Sequence, residues 1–486
     1  MNYKTFKIIT IVTAILLITI KTRSQLPSIL YYMENIPQSS LINPAMAPRA
    51  NTFIAVPLVN SYTTYNGNLA VGDFFQVHDG IPYTLWNDKD EFDYSLLYDK
   101  INGSMDIELT EHISPAMFGF RLNRNYFTFG FSEKVQTSYE IPQDLLKFGD
   151  VGIPAEPNNE HFDFGTFSTQ IYYYREFIIG FSREINNKLT VGTHIKPLFG
   201  KAGFKTDIQS FTIDASGELY HVNASGKFYA SLPIKSITYD NNGFPENIEM
   251  QDMELKDYVN KYGTSFSNPG IAFDFGAVYN LDERWSFSAA INDLGFLNFK
   301  SDLQSLSFNG EYDYEGPEFT PANYDEGEVV RDDILESLKD SLNFIDGNSN
   351  FKMGLSPVLY AGSSFRINHV FTMGFLSRSK FQKNNFKQHF NFSANLNLYN
   401  QISATVNYSL NINEQNYLGF GMSCALGPLE LYALINNIPT TLRNYKKDGN
   451  KYLIPDQLKS GSLLVGLNIL FGAKGYRDKP MISMKN

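Results

Sequence analysis

Residue types that build enzyme centres occur in this sequence, but not at the local spacings that make one. There is no His-Glu-x-x-His pair, no Gly-x-Ser-x-Gly elbow and no phosphate loop ending in Gly-Lys-Ser/Thr. The seven histidines (78, 112, 161, 194, 221, 369 and 389) are scattered, with no close pair at metal-ligand spacing. His194 or His389 with a serine such as Ser393 comes nearest to a base and nucleophile, and a fold would have to bring them together. Solvated or structural histidines are the simpler reading. Gly419 and Gly421 give a lone Gly-x-Gly inside an alternating run, which reads as small inward-facing residues rather than a nucleotide loop. Asp240, Asn241, Asn242 and Gly243 resemble half of a calcium loop without its remaining ligands, and read as a turn. The single cysteine, Cys424, excludes an intrachain disulfide and any multi-cysteine metal site. No catalytic residue, cofactor site or metal site is expected, and the chain reads as a non-enzyme.

The elements that would position any site are strands. Ala404, Val406, Tyr408 and Leu410 alternate with Ser403, Thr405, Asn407 and Ser409, one apolar face against one polar face. The pattern recurs at Leu418, Phe420, Met422 and Cys424, at Leu429 to Ile435 and at Leu463 to Phe471. Upstream it is seen at Phe127, Phe129 and Phe131, and at Phe273 to Tyr279. Short polar turns separate these runs, such as 123–125, 186–187, 280–283, 368–369, 400–401 and 427–428, so neighbours must be antiparallel. The other connections, 72–103, 140–163, 232–263, 300–350 and 438–459, are long and polar. Short turns on one rim and long loops on the other mark an outer-membrane barrel with long extracellular loops.

A soluble sandwich also alternates, but its strands average about 6 residues. Runs such as 164–185, 266–279, 401–410 and 461–471 reach the ~9–11 residues of a tilted membrane strand. Tyr172, Tyr173, Tyr174, Tyr126 and Trp285 are read as girdle aromatics. The raw count is sixteen strands if 188–200 and 204–214 are separate, and fourteen is equally compatible. Within the acidic stretch 311–346, which holds twelve acidic and two basic residues, Ile334, Leu335, Leu338 and Leu342 recur at helical spacing. Asp332 and Asp333 would sit in the first turn, and one short helix is expected there.

Charge and the N-terminus bound the location. Lys4 and Lys7 precede an uncharged run from Ile8 to Ile20, followed by Thr22 and Ser24 at signal-peptidase positions. Residues 1–24 therefore read as a signal peptide, with an uncleaved anchor as the alternative. Its removal takes four basic and no acidic residues, leaving 36 basic against 51 acidic, a net charge of −15. So acidic a chain lacks the basic face that nucleic-acid binding requires.

Ile36 to Ala45, with Asn43, Pro44 and Ala45 at its end, resembles the opening of FadL-like outer-membrane proteins. Phe275 to Tyr279 followed by Ile291, Asn292, Asp293, Leu294, Gly295 and Phe296 is similar to a strand–turn–strand pattern of the same family. That pattern also resembles uncharacterised barrels related to type IX secretion outer-membrane proteins. The resemblance implies a fourteen-stranded barrel with an N-terminal hatch inside it. On that basis the chain divides into a signal peptide 1–24, a hatch or plug 25–51, an outer-membrane barrel 52–472 and a tail 473–486. The tail departs from the family habit of ending on an aromatic residue such as Phe471. Pro44 keeps Asn43 out of the helical region and the Asn side chain can bond nearby backbone, so a rigid bend is expected. An ordinary surface turn is the alternative.

The all-β reading is thus a transmembrane antiparallel meander barrel in the cell outer membrane, in contact with its lipids. Its expected function is transport or binding of a small hydrophobic molecule. The alternative is a non-enzymatic component of a secretion or surface-assembly complex with an envelope protein partner, docked through 311–346 or the basic segment 443–451. A barrel hydrolase is a third reading.

Overall fold

The structure is a computed structural model. It describes residues 28–472 apart from 57–60, 79–80, 85–91, 152–160, 215–218, 242, 253, 259–262, 264, 315–340, 383–385, 399–400, 413–415, 439–440 and 448–449. The signal-peptide and tail readings, and Asp332 to Leu338 of the expected helix, lie outside the described residues; Leu342 packs against Ala224 and Phe308.

Alternation of apolar and polar residues closes into a ring of fourteen antiparallel strands. In chain order these are β1 (Thr52–Ala55 and Ser61–Gly67), β2 (Ser104–Leu122), β3 (Asn125–Pro142), β4 (Ser168–Glu184), β5 (Leu189–Asp214), β6 (Pro269–Asn280) and β7 (Trp285–Phe299). Next come β8 (Phe351–Gly354 and Val358–Arg366), β9 (Phe371–Phe381), β10 (Phe386–Leu398) and β11 (Ile402–Asn411). The last are β12 (Tyr417–Leu426), β13 (Leu429–Asn436) and β14 (Ser460–Phe471). Each pairs with its chain neighbour, and β14 returns to β1 with Thr52 opposite Phe471 and Tyr65 opposite Gly461. The count is fourteen, and 188–200 and 204–214 are not separate strands, since Leu189–Asp214 forms one continuous strand of 26 residues, β5.

The polar positions of the sequence are the buried ones. Along β11 Ser403, Thr405, Asn407 and Ser409 are buried while Val406, Tyr408 and Leu410 are exposed. On β12 the glycines and Ser423 face in, and Leu418, Phe420 and Met422 face out. Period-two alternation therefore specifies an apolar outer belt around a polar lumen.

One rim carries tight turns held by a repeated device. Asn186, Asp282 and Asn368 each accept two backbone N–H bonds through their side-chain oxygen: from Lys188 and Leu189 (2.8 and 2.9 Å), Arg284 and Trp285 (2.8 and 2.7 Å), and Val370 and Phe371 (both 2.8 Å). The bonds from Trp285 and Arg284 hold the Asp282 carboxyl below the usual range.

The opposite rim is more structured than its polar composition suggests. Gly203–Asp214 of β5 pairs with strand Tyr220–Ser231, which pairs with Leu303–Tyr314, which in turn pairs with Asn343–Gly347. These form a crown rising from the wall, so the stretch 300–350 read as loop contains two strands among its described residues. Residues 72–103, 232–263 and 438–459 contain small hairpins, and a helix spans Gln143–Val151. Apolar residues inside the loops, such as Phe74, Phe92 and Leu97, form a separate small core with Met105 of β2.

Three girdle assignments are corrected. Tyr172 and Tyr174 point inward, packed with Leu198, Leu297 and Phe299, because three successive tyrosines must alternate faces. Tyr126 is also turned inward, stacked on Phe53. Trp285 lies on the outer face, stacked on Phe287 at 6.0 Å. A closed ring of this kind predicts heat-modifiable migration: the unboiled protein should run faster on an SDS gel than the boiled one. Identical migration would mean the ring is not closed.

Candidate functional site

The lumen is occupied by the chain's own N-terminal segment. Ser28–Tyr32 and Pro37–Leu41 each form a short 3₁₀ turn, the second started by proline at its first position. Ile29, Leu30, Met33, Ile36 and Ile42 are almost wholly buried and pack against Ala290, Tyr360, Leu376, Leu434 and Leu464 of the wall. Each such side chain contributes about 1.5–3 kcal/mol on burial. Burial also keeps the phenol of Tyr31 protonated well beyond its usual range, with Glu34 adding to the shift.

Glycine positions on the wall make room for this segment. A Cβ on Gly276 would lie 2.0 Å from Asn43 Oδ1, and one on Gly192 2.3 Å from the Pro44 carbonyl. A Cβ on Gly419 or Gly421 would likewise lie 2.6 Å from the Ile29 side chain, which accounts for the Gly-x-Gly without a nucleotide. The structure places Asn43 fully buried between β6 and β7. Its Oδ1 accepts the Ala45 N–H at 2.9 Å, and its Nδ2 donates to the carbonyls of Ala277 and Ala289, each at 3.4 Å. Pro44 rests against Gly192, and Ala45 is buried.

Stronger polar contacts flank the bend. Asn292 Nδ2 donates to the carbonyls of Leu41 and Ile42 at 3.0 and 2.9 Å. Gln38 and Asn468 exchange amide hydrogen bonds at 2.8 and 3.0 Å, and Asn468 also donates to Glu430 at 3.0 Å. Asn292 and Asp293 occupy an irregularity in the β6–β7 register, where Asp293 adopts φ +60°. Its N–H donates to Asp274 Oδ1 at 2.8 Å. The Asn-Asp pair within Ile291–Phe296 thus ties the inner segment to the wall.

Around this segment the lumen is lined by ionic groups. Asp274 meets His194 at 3.0 Å and Lys196 at 2.6 Å, and Lys196 also reaches Asp293 at 2.9 Å. Lys134 and Glu176 pair at 2.8 Å. Across the lumen, Glu108 of β2 forms an ion pair with Lys380 of β9. Closer to the crown, Tyr172, Tyr174, Leu198, Leu297, Phe299 and Phe351 form an apolar patch on the inner wall.

The histidine–serine pairings are not assembled. His389 and Ser393 lie on one strand four residues apart, about 13 Å by strand rise. His194 is on β5, five strands around the ring from Ser393, and is engaged by Asp274. Asp240 closes a turn, accepting the Phe244 N–H at 2.8 Å, with Gly243 at φ +80°. Among the described residues no group of three or more His, Cys, Asp or Glu has metal-binding geometry. The lumenal ions were missed in sequence because the partners lie far apart in the chain, as Lys134 and Glu176 do, or Lys196 and Asp274. The legible signal was a charged residue at every second position, as in Arg378 and Lys380.

A family model described as a family of unknown function, DUF5723, matches residues 44–436. The chain belongs to that family. The DUF5723 match begins at Pro44 and ends at Asn436, at the end of β13. No curated protein matches. Similar solved structures include the toluene transporter TbuX of Ralstonia pickettii, 10% identical, with a TM-score of 0.41, covering 90% of this chain and 94% of that one. The toluene transporter TodX of P. putida is 10% identical over 88% of this chain and 92% of that one, with a TM-score of 0.39. A Pseudomonas aeruginosa FadL homologue is 10% identical over 90% and 94%, also with a TM-score of 0.39.

The packing of this DUF5723 lumen makes a specific prediction. With Ser39, which is buried, changed to cysteine in a Cys424→Ser background, maleimide labelling of the folded protein should be slow. Gly276→Val should speed labelling roughly tenfold or more by expelling Asn43, an overpacking cost of about 1–3 kcal/mol. Gly354→Ala, whose Cβ would meet nothing within 4 Å, should leave the rate unchanged.

Proposed function

We propose that this protein is an outer-membrane barrel through which a small, mainly apolar molecule passes or in which it binds, with residues 28–49 acting as a displaceable plug. The observation that carries this reading is the seating of the N-terminal segment inside the ring. It is packed on wall glycines, and at its bend the Asn43 hydrogen bonds to the wall are long, 3.4 Å each. Asn43, Pro44 and Ala45 would be its pivot. The exposed belt of Phe118, Phe120, Leu418, Phe420, Met422 and Val465 supports contact with lipid hydrocarbon. The apolar patch around Phe299 and Phe351 on the crown side of the plug supports an apolar ligand.

A second reading is a non-transporting component of a secretion or surface-assembly complex, in keeping with the resemblance to type IX secretion proteins. The crown favours it, since two twelve-residue strands, Tyr220–Ser231 and Leu303–Tyr314, rise beyond the wall and offer a broad surface to a partner.

Deletion of residues 28–49 distinguishes the two. The plug reading expects the deleted protein, still heat-modifiable, to raise single-channel conductance in planar bilayers and to admit an apolar fluorescent probe into cells faster than the full chain. Unchanged conductance and uptake would remove the plug reading and leave the assembly one.

A further inference from the structure

We propose that the lumenal row Asn407–Gly419–Asn436 is a site for a hydrogen-bond-donating head group, a primary amine foremost, on the small apolar molecule that the lumen takes. Cross-strand register makes the row. Asn407 of β11 stands opposite Gly419 of β12, and Gly419 stands opposite Asn436 of β13. The two asparagines are buried, at 1 and 3% exposure. Glycine between them leaves a space that both side chains face: a Cβ on Gly419 would lie 3.1 Å from Asn407 Oδ1 and 2.9 Å from Asn436 Oδ1. Neither oxygen has a hydrogen-bond partner among the described residues.

The direction of the Asn407 amide is set by its other end, since its Nδ2 donates to Asn391 Oδ1 at 3.1 Å. Neighbouring amides on the same wall have their oxygens filled. Asn391 Oδ1 accepts from Asn407 and Ser409, and Asn468 Oδ1 accepts from Gln38. What covers the two open oxygens is Ile29 of the plug, whose Cδ1 lies 2.6 Å from the same Cβ position. An aliphatic methyl group brings no donor, so both acceptors carry their desolvation cost without compensation. A group that moves Ile29 aside and brings two hydrogens satisfies both. That requirement sets the chemical class. A ketone or a carboxylate presents oxygen to oxygen and gains nothing, a hydroxyl offers one hydrogen, and a primary amine offers two or, as ammonium, three. The acidic excess of the chain, 51 Asp and Glu against 40 Lys and Arg, favours entry of a cation over an anion.

The inference rests on the plug reading for the route by which a ligand reaches the row. The test is calorimetric titration of the full chain, in neutral maltoside near neutral pH, with hexylamine, 1-hexanol and 2-hexanone. These share an apolar body and differ in their donors, and the heat of mixing each with detergent alone is subtracted. Hexylamine should bind tightest and 2-hexanone weakest, roughly tenfold or more apart, the worth of one to two hydrogen bonds. Asn407→Leu and Asn436→Leu each remove one oxygen and should bring hexylamine most of the way to 2-hexanone. Ile29→Ala should tighten hexylamine by uncovering the row. Heat-modifiable migration checks that each variant is folded, and should Asn407→Leu fail to fold, Asn436→Leu takes its place with the same expected loss. Equal affinity for the three compounds overturns the proposal, as does unchanged hexylamine affinity in a folded asparagine variant. The plug has its own readout, because maleimide labelling of Ser39→Cys in the Cys424→Ser background should speed with hexylamine and not with 2-hexanone. Asparagine-dependent binding with unchanged labelling keeps the donor site and removes the plug reading. Equal affinity for the three compounds, with labelling still faster in Gly276→Val, removes the site and keeps the plug.

Discussion

Every peptide group of a wall with hydrocarbon on one side must be bonded within the wall, and that constraint governs the rest of this structure. It forces the last strand back to the first, so that Ser460–Phe471 pairs with both pieces of β1. It also fixes the period. Once the outer face is apolar at every second residue, every intervening residue belongs to the lumen, whatever its polarity. The buried polar residues Asn391, Asn407, Ser409 and Asn468 follow from that geometry. Their hydrogen bonds to one another and to the inner segment make the arrangement tolerable.

The inner segment uses the same wall differently. Where it leans closest the wall offers glycine, and where it needs register the wall offers an amide, as Asn292 does to Leu41 and Ile42. Packing supplies area and the amides supply position. The segment's own hydrogen bonds are short-range, such as Ile36 N–H to the Met33 carbonyl and Ile42 N–H to the Ser39 carbonyl, so its place depends on the ring around it.

The outward faces of β11 to β14 could be read residue by residue from the sequence, since nothing interrupts their alternation. The tight turns could be read too, because Asn and Asp act locally through their own side chains. Tyr172 to Tyr174 could not, as three identical residues carry no alternation to show which face each takes. The crown strand Leu303–Tyr314 was hidden by its acidic residues. Glu311 and Asp313 mark it as loop by composition, although Tyr312 and Tyr314 between them keep the two-residue period. The bend at Asn43 and Pro44 was legible as a bend. Its contacts with Gly192, Gly276 and the β6–β7 carbonyls depend on residues 148 to 246 positions away, beyond any local pattern.

The ion pair between Glu108 and Lys380 joins strands seven places apart in a ring of fourteen, which is as far apart as two strands can be. A circular ring of fourteen strands spaced ~4.8 Å apart would measure about 21 Å across before tilt is considered. Two side chains end to end fall well short of that span. The cross-section at this level is therefore an oval with its short axis along the ion pair, and the strut divides it into two lobes. One lobe is bordered by β3 to β8 and the other by β10 to β14 and β1. The two lobes are unlike, since the first is walled by the aromatic patch of Tyr172, Phe299 and Phe351.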